Sequence, residues 1–210
     1  MNTIILSCFL LMTLVASSQQ TKQVIERSDS ILKSLVGERL SGYFSLSQGS
    51  YYTFNKRNGS IRTGGILNRK KLPRAFTALN FLYHFNYPAI KGVRGGIWLK
   101  LNKNFTLSET VNFDFIPDFL IEDTASNFIS ADSVLIVAKA SFKEKGFEIT
   151  TPELSYHKQF KKYMYAVYNK LTKFFNTAGG DNGEMEIIEI DAITGKIERI
   201  YKGYYRLMIR

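Results

Sequence analysis

Side chains able to do metal chemistry are few in this sequence and lie far apart. There are two histidines, His84 and His157, and one cysteine, Cys8. Neither histidine is followed four residues later by a second His or a Glu, which is the spacing with which a helix binds zinc. We therefore predict no metal site and no cofactor.

Closely spaced carboxylates occur in the second half of the chain, where they could do acid–base chemistry. Glu184 and Glu186 are two residues apart, as are Glu189 and Asp191, so each pair shares one face of a predicted strand. Such a pair supplies a general acid and a general base when burial raises the pKa of one member. Here the carboxylates alternate with Met185 and isoleucines. That alternation is typical of a solvated strand face, so we predict no enzyme.

A glycine-rich segment, residues 56–71, contains six basic residues and no acid. Within it, Asn58-Gly59 is a strong signal for a two-residue hairpin turn. Tyrosines precede the segment, and aromatic rings beside cations suit contact with sugars and anions. We predict a binding surface formed by Tyr51, Tyr52, Lys56, Arg57, Arg62, Arg69, Lys70 and Lys71.

The positive charge belongs to one half of the chain. Residues 19–113 contain 15 Lys and Arg against 4 Asp and Glu, and residues 114–210 contain 13 against 14. The formal charges are +11 and −1, which sum to the net +10 of the chain. An excess of this kind favours an anionic partner. Acidic glycans, lipid headgroups or an acidic protein fit it, whereas no nucleic-acid-binding motif is present.

The amino-terminal residues have the form of a secretory signal. An apolar run, Ile4–Val15, is followed by the small residues Ala16–Ser18. We predict a signal peptide at residues 1–18 with cleavage near Ala16–Ser18. Because the run is too short to span a bilayer, the mature chain is not predicted to be transmembrane. Cys8 lies inside the signal, and an exported chain without disulfides indicates a secreted, periplasmic or cell-surface protein of bacteria.

The elements that would position these residues are clearest in the second half. Ser130 is a predicted helix N-cap, and the helical spacing that follows ends before Gly146. Three segments with strand character come next, at residues 147–156, 162–171 and 184–201. The last is predicted to fold back at 191–195, where an Asp side chain caps a turn and Gly195 takes positive φ.

Two short motifs in this half resemble the PepSY family. They are S-A-D-S-V-L-I-V-A-K, which opens the helix, and I-E-I-D-A-I-T-G-K-I, which spans the final hairpin. The resemblance covers Ile129–Tyr201. This family occurs in propeptides of thermolysin-type proteases and in bacterial envelope proteins. The resemblance implies a helix packed on an antiparallel sheet, and a role in protein–protein interaction, including restraint of a protease.

The first half repeats the order of elements more loosely. A predicted helix, Thr21–Leu40, precedes strand-like segments at 42–54, 75–87 and 97–113. We therefore predict an α+β fold of two tandem PepSY-like units, and the alternative is a single larger sheet packed against two helices.

The predicted units comprise residues 19–113 and 129–210. They are joined at 114–128 by an acidic linker that contains Pro117.

These observations lead to two hypotheses. The first is an exported, non-catalytic envelope protein that binds or regulates a protein partner, such as a protease that it restrains. The alternative is a binder of acidic glycans or lipid headgroups that uses the basic, aromatic first half.

Overall fold

The computed structural model describes residues 21–73, 75–175 and 181–205. The chain forms two compact units. The first comprises residues up to Phe85 together with Gly96–Asn112, and the second comprises Asn86–Gly95 and the residues from Phe113 onward. The predicted signal peptide lies outside the described residues. The predicted α+β class is confirmed, since each unit combines helix with an antiparallel sheet.

The first unit contains one long helix and a five-stranded sheet. The elements are α1 (Thr21–Ser41), β1 (Phe44–Leu46), β2 (Tyr51–Asn55), β3 (Ile61–Gly65), β4 (Phe76–Asn86) and β5 (Arg94–Asn102). Strand β4 is central. It pairs with β5 on one side and with both β1 and β2, end to end, on the other, and β3 extends the sheet beyond β2.

Helix α1 packs on one face of this sheet, and the strands alternate accordingly. Along β4, the side chains of Leu79, Phe81, Tyr83 and Phe85 are buried, as the two-residue period of a strand requires. Val24 and Leu32 of the helix and Ile97, Leu99 and Leu101 of β5 are buried as well. Hydrogen bonds that the Tyr83 hydroxyl forms with Ser28 and Asp29 of α1 connect the helix to β4.

The second unit is built on the same plan. Its elements are α2 (Asp118–Ile121), α3 (Ala131–Ser141), β6 (Glu148–Ile149), β7 (Glu153–His157), β8 (Lys162–Lys170), β9 (Phe174–Phe175), β10 (Asp181–Asp191) and β11 (Ile197–Tyr205). The short strands β6 and β7 lie end to end along β8, just as β1 and β2 lie along β4. The sheet continues through β10 to β11, and β9 pairs with the start of β10.

Local signals in the second unit were predicted correctly. The Ser133 N–H donates to the Ser130 hydroxyl at 3.2 Å, which caps α3. The Asp191 carboxylate accepts from the N–H groups of Ile193 and Thr194 at 2.9 and 2.8 Å, and Gly195 has φ 70°. The end of the helix was predicted too late, because α3 already ends at Ser141.

One prediction of organisation needs correction. The segment 114–128 is not a separate linker but part of the second unit, since Phe115, Ile116, Phe119 and Leu120 are buried and the Tyr163 hydroxyl donates to the Phe115 carbonyl at 2.6 Å.

The strand-like segment 97–113 turns after β5, near Asn102, and folds back briefly. The Asn102 N–H donates to the Thr106 carbonyl at 3.0 Å, the Ser108 N–H donates to the Lys100 carbonyl at 2.9 Å, and an antiparallel bridge joins Leu101 to Leu107.

Candidate binding surface

The basic segment begins in a hairpin turn between β2 and β3. The Lys56 N–H donates to the Ser60 carbonyl at 2.9 Å, and Gly59 has φ 79°. The Asn58 side chain accepts from the Ser60 N–H and hydroxyl at 3.2 and 2.8 Å. The hairpin predicted at Asn58-Gly59 is therefore present, but its loop has three residues, 57–59, instead of the predicted two. The turn projects Lys56 and Arg57 into solvent.

All six predicted basic residues of the surface are exposed. Lys56 and Arg57 lie in the turn, Arg62 lies on β3, and Arg69, Lys70 and Lys71 follow that strand. The Arg69 guanidinium lies over the ring of Tyr52 at 5.7 Å from its centroid, a cation–π contact that orients the charge.

The carboxylates of the first unit pair with groups other than these six cations. Glu26 is 3.7 Å from Lys22, Glu38 pairs with Lys33, Glu109 is 2.9 Å from Lys100, and Asp29 accepts from the Tyr83 hydroxyl. These are the four acids of that unit. Within the described part of the chain, the six cations of the surface consequently form no ion pair.

The second unit differs in this respect, because many of its cations are matched to carboxylates. The pairs are Lys161–Asp114, Lys162–Asp191, Lys162–Glu198, Lys170–Glu148, Lys173–Asp181, Arg199–Glu189 and Lys202–Glu144. Its charge is largely balanced within the unit, whereas the first unit displays unbalanced positive charge to solvent.

The two predicted tyrosines lie on opposite faces of β2. Tyr51 is half-buried and makes an edge-to-face contact with Trp98, with ring centroids 5.6 Å apart. Tyr52 is fully buried, so its assignment to the binding surface was wrong. Neighbouring strand residues point to opposite faces, and Tyr52 shares the buried face of the sheet with Leu79, its partner on β4, whereas Tyr51 lies on the other face.

Among the described residues, strand β3 is the edge strand on this side of the sheet, and its outer edge is part of the basic surface. The Ile66 N–H donates to the Ser50 carbonyl at 3.0 Å, and the Lys56 N–H donates to the Ser60 carbonyl. With the register Thr53↔Thr63, the alternation of an antiparallel ladder turns the backbone groups of residues 62 and 64 toward β2. Those of Ile61, Thr63 and Gly65 therefore point away from the sheet. Sequence analysis located the cations but missed this edge.

A groove adjoins the same cations. Thr21, Lys22, Ile25, Glu26, Arg69, Lys70 and Lys71 line an open depression of about 670 Å³. The Thr21 N–H donates to the Lys70 carbonyl at 3.1 Å, which ties the start of α1 to the basic segment. Lys22 and its partner Glu26 thus adjoin the basic surface, and neither was among the residues predicted from sequence.

The paired carboxylates of β10 are not a solvated face. Glu186, Glu189 and Asp191 are all buried. Glu186 accepts from the backbone N–H groups of Lys143 and Glu144, with a shortest distance of 3.0 Å. These N–H donors from the segment after α3 offset the free-energy cost of burying the Glu186 carboxylate, so Glu186 has a structural role.

The other two carboxylates have lowered pKa values. Burial opposes ionisation of Asp191, but hydrogen bonds from Lys162, Thr194 and Ile193 outweigh it and lower the pKa to about 2. For Glu189, burial is likewise outweighed by hydrogen bonds from Arg199 and Tyr201, and its pKa is lowered. A general acid needs a raised pKa, so these residues are suited to ion pairing.

The two histidines lie in different units of the chain. His84 is exposed on β4, and His157 Nε2 lies 3.0 Å from the Arg199 guanidinium, a donor only, so this nitrogen is the acceptor. Among residues 21–73, 75–175 and 181–205, no group of three His, Cys, Asp or Glu side chains is placed to bind a metal ion. The same residues include no helix long and apolar enough to cross a membrane.

Comparisons with family models, curated proteins and solved structures find no match to this chain. The PepSY resemblance therefore stays a prediction.

Proposed function

We propose that this is an exported, non-catalytic envelope protein whose first unit binds an acidic segment of a partner protein. The observation that carries the proposal is the set of six exposed cations that have no carboxylate partner among the described residues. Because many cations of the second unit are paired with carboxylates, this excess of positive charge distinguishes the surface of the first unit.

A single exposed ion pair is worth little, about 0.2–1 kcal/mol. Several cations on one surface act together, because they raise the local concentration of an anionic partner and speed its association. Binding through this surface is expected to weaken as salt is added, since the charges are exposed and screened.

The test is capture from bacterial envelope extract by the mature chain, from residue 19, at low and at high salt. The variant Arg69→Gln, Lys70→Gln, Lys71→Gln removes half of the unpaired charge. A matched control, Lys139→Gln, Lys145→Gln, Lys158→Gln, removes three exposed cations from the second unit. The proposal requires a discrete acidic protein that is retained by the mature chain and the control at low salt and lost by the first variant. Equal retention by both variants would contradict it.

A second candidate is binding of acidic glycans or lipid headgroups. Trp98 is 38 % exposed and contacts Tyr51, so an aromatic pair faces solvent in the same unit as the cations. Rings of this kind can stack on sugars while cations contact sulfate or phosphate. Heparin and anionic vesicles are the probes. Binding that falls in both Trp98→Ala and the triple Gln variant would favour a glycan, and binding to vesicles alone would favour lipid headgroups.

Restraint of a protease is the regulatory form of the first candidate. It rests on the PepSY resemblance. The partner captured above, or a thermolysin-type protease, would be assayed with and without the mature chain. Inhibition by the mature chain but not by the triple Gln variant would support this role, and full protease activity at saturating protein would exclude it for that enzyme.

A further inference from the structure

We propose that the acidic segment binds as an added strand on the outer edge of β3, and that its side chains alternate between acidic and apolar. This inference rests on the proposed function and specifies how the partner is held. Strand addition uses backbone hydrogen bonds for affinity and alternate side chains for specificity.

The backbone of β3 supplies the hydrogen-bonding groups. Ile61, Thr63 and Gly65 direct their N–H and C=O groups away from β2, as the register and flanking bonds require. Ile61 is 70 % exposed, and Thr63 is exposed as well. The described part of the first unit has no strand beyond β3.

The two faces of the edge differ in chemistry. Arg62 and Gly64 of β3 lie on the same face of the sheet as Tyr52 of β2. The Arg69 guanidinium lies over the Tyr52 ring on that face. Ile61 projects from the opposite face. An added strand would therefore place acidic side chains beside Arg62 and Arg69, and apolar side chains beside Ile61. This alternation holds for a parallel or an antiparallel strand, because both have a two-residue period.

The positive charge beside the β3 edge determines which kind of added strand can pair with it. Cations on an edge strand oppose pairing with a second copy of the same edge, because Arg57 and Arg62 would face like charges. The same cations attract an acidic strand. An added strand from another protein, with a carboxylate at every second residue, is thus favoured over pairing with a second copy of this chain.

Proline substitution at Thr63 tests the edge directly. The Thr63 N–H points away from β2, so Thr63→Pro removes an outward donor without removing a bond of the β2–β3 ladder. The matched control is Thr63→Ala, which keeps the donor. The probe is a labelled synthetic peptide of alternating Glu and Val, measured by fluorescence anisotropy against a peptide of the same composition with its Glu residues grouped together.

The mature chain is expected to bind the alternating peptide more tightly than the grouped one. Thr63→Pro should weaken that binding about tenfold, the effect of one to two hydrogen bonds, while Thr63→Ala changes it less than about threefold. Arg62→Gln should also weaken it. Thermal unfolding of each variant checks the fold. Should Thr63→Pro fail to fold, two N-methylated forms of the alternating peptide provide the same test from the ligand side, one methylated at its valines for an antiparallel added strand and one at its glutamates for a parallel one.

Failure of the strand-addition proposal can be distinguished from failure of the proposed function. If both peptides bind equally, and neither Thr63→Pro nor N-methylation matters while the triple Gln variant still loses binding, the edge is not the site and the proposed function survives. If the mature chain binds neither peptide and captures no acidic protein, the proposed function itself is overturned.

Discussion

The hydroxyl of Tyr83 donates a hydrogen bond to the Asp29 carboxylate at 2.6 Å, and the Ser28 hydroxyl lies 2.6 Å from the same phenolic oxygen. This contact joins the central strand β4 to helix α1. Tyr83 is buried, and burial together with the Asp29 bond raises the pKa of its hydroxyl, so the group remains a donor.

Tyr83→Phe is expected to lower the free energy of unfolding by about 1–2 kcal/mol, because the variant keeps the ring but removes the hydroxyl. Urea denaturation followed by circular dichroism measures the change. Tyr51→Phe is the control, since the Tyr51 hydroxyl forms no hydrogen bond with the described part of the chain, and its stability should lie within about 0.5 kcal/mol of the parent. Similar stability for the two variants would show that the Tyr83–Asp29 bond contributes little.

Gly64→Ala should destabilise the first unit by about 1–3 kcal/mol. A Cβ atom at residue 64 would lie 2.5 Å from the ring of Tyr52, which is buried and cannot move aside freely. Gly42→Ala is the control, because the nearest atom to its added Cβ is a carbonyl oxygen at 3.4 Å. The thermal midpoint should fall for the first variant only, and equal midpoints would mean that Tyr52 relocates at little cost.

Asp191 is expected to make the second unit sensitive to acid. Its folded-state pKa of about 2 is below the ordinary value of 3.8, so the ionised carboxylate stabilises the fold above the ordinary pKa. This stability, about 2 kcal/mol, is lost as the pH falls from the ordinary value through the folded one.

Asp191→Asn tests this linkage. At neutral pH the variant should be less stable than the parent by roughly 2 kcal/mol, and the difference should shrink between about pH 4 and pH 2. Denaturant midpoints measured across that range provide the readout. A difference that stays constant with pH would show that loss of the turn geometry, rather than ionisation, accounts for the change.

Ser130→Ala should cost about 1 kcal/mol, because the Ser130 hydroxyl accepts the otherwise unpaired N–H of Ser133 at the start of α3. Ser130→Asp should restore most of this stability, since an Asp side chain can accept the same bond and adds a favourable charge at a helix start. The unfolding free energies of the parent and of the two variants measure these changes. Equal stability of the Ala and Asp variants would exclude capping as the cause.

The features that sequence analysis placed correctly are local. The cap at Ser130, the turn at Asp191 and Gly195, and the hairpin at Asn58-Gly59 each depend on residues within a few positions of one another. Turn and cap preferences are set by the backbone conformations those residues allow, so they can be predicted without the rest of the fold.

The errors concern residues whose environment depends on distant strands. Glu186 was predicted to be solvated, yet donors from residues 143 and 144 surround it. The apolar side chains of 115–120 were assigned to a linker because Pro117 and the acids near it dominate the local pattern. Their burial comes from packing against the second sheet, which no local pattern reports.

The sequence by itself determined the α+β class, the concentration of positive charge in the first half, and the absence of a pattern typical of a catalytic or metal site. Composition and short-range spacing carry that information. Only the tertiary structure decided that Tyr52 is buried while Tyr51 is half-exposed, that β3 is an edge strand among the described residues, and that the acids of the first unit pair with groups other than the six cations. These outcomes depend on which strands pair and which carboxylates are within reach, and pairing joins residues far apart in the chain.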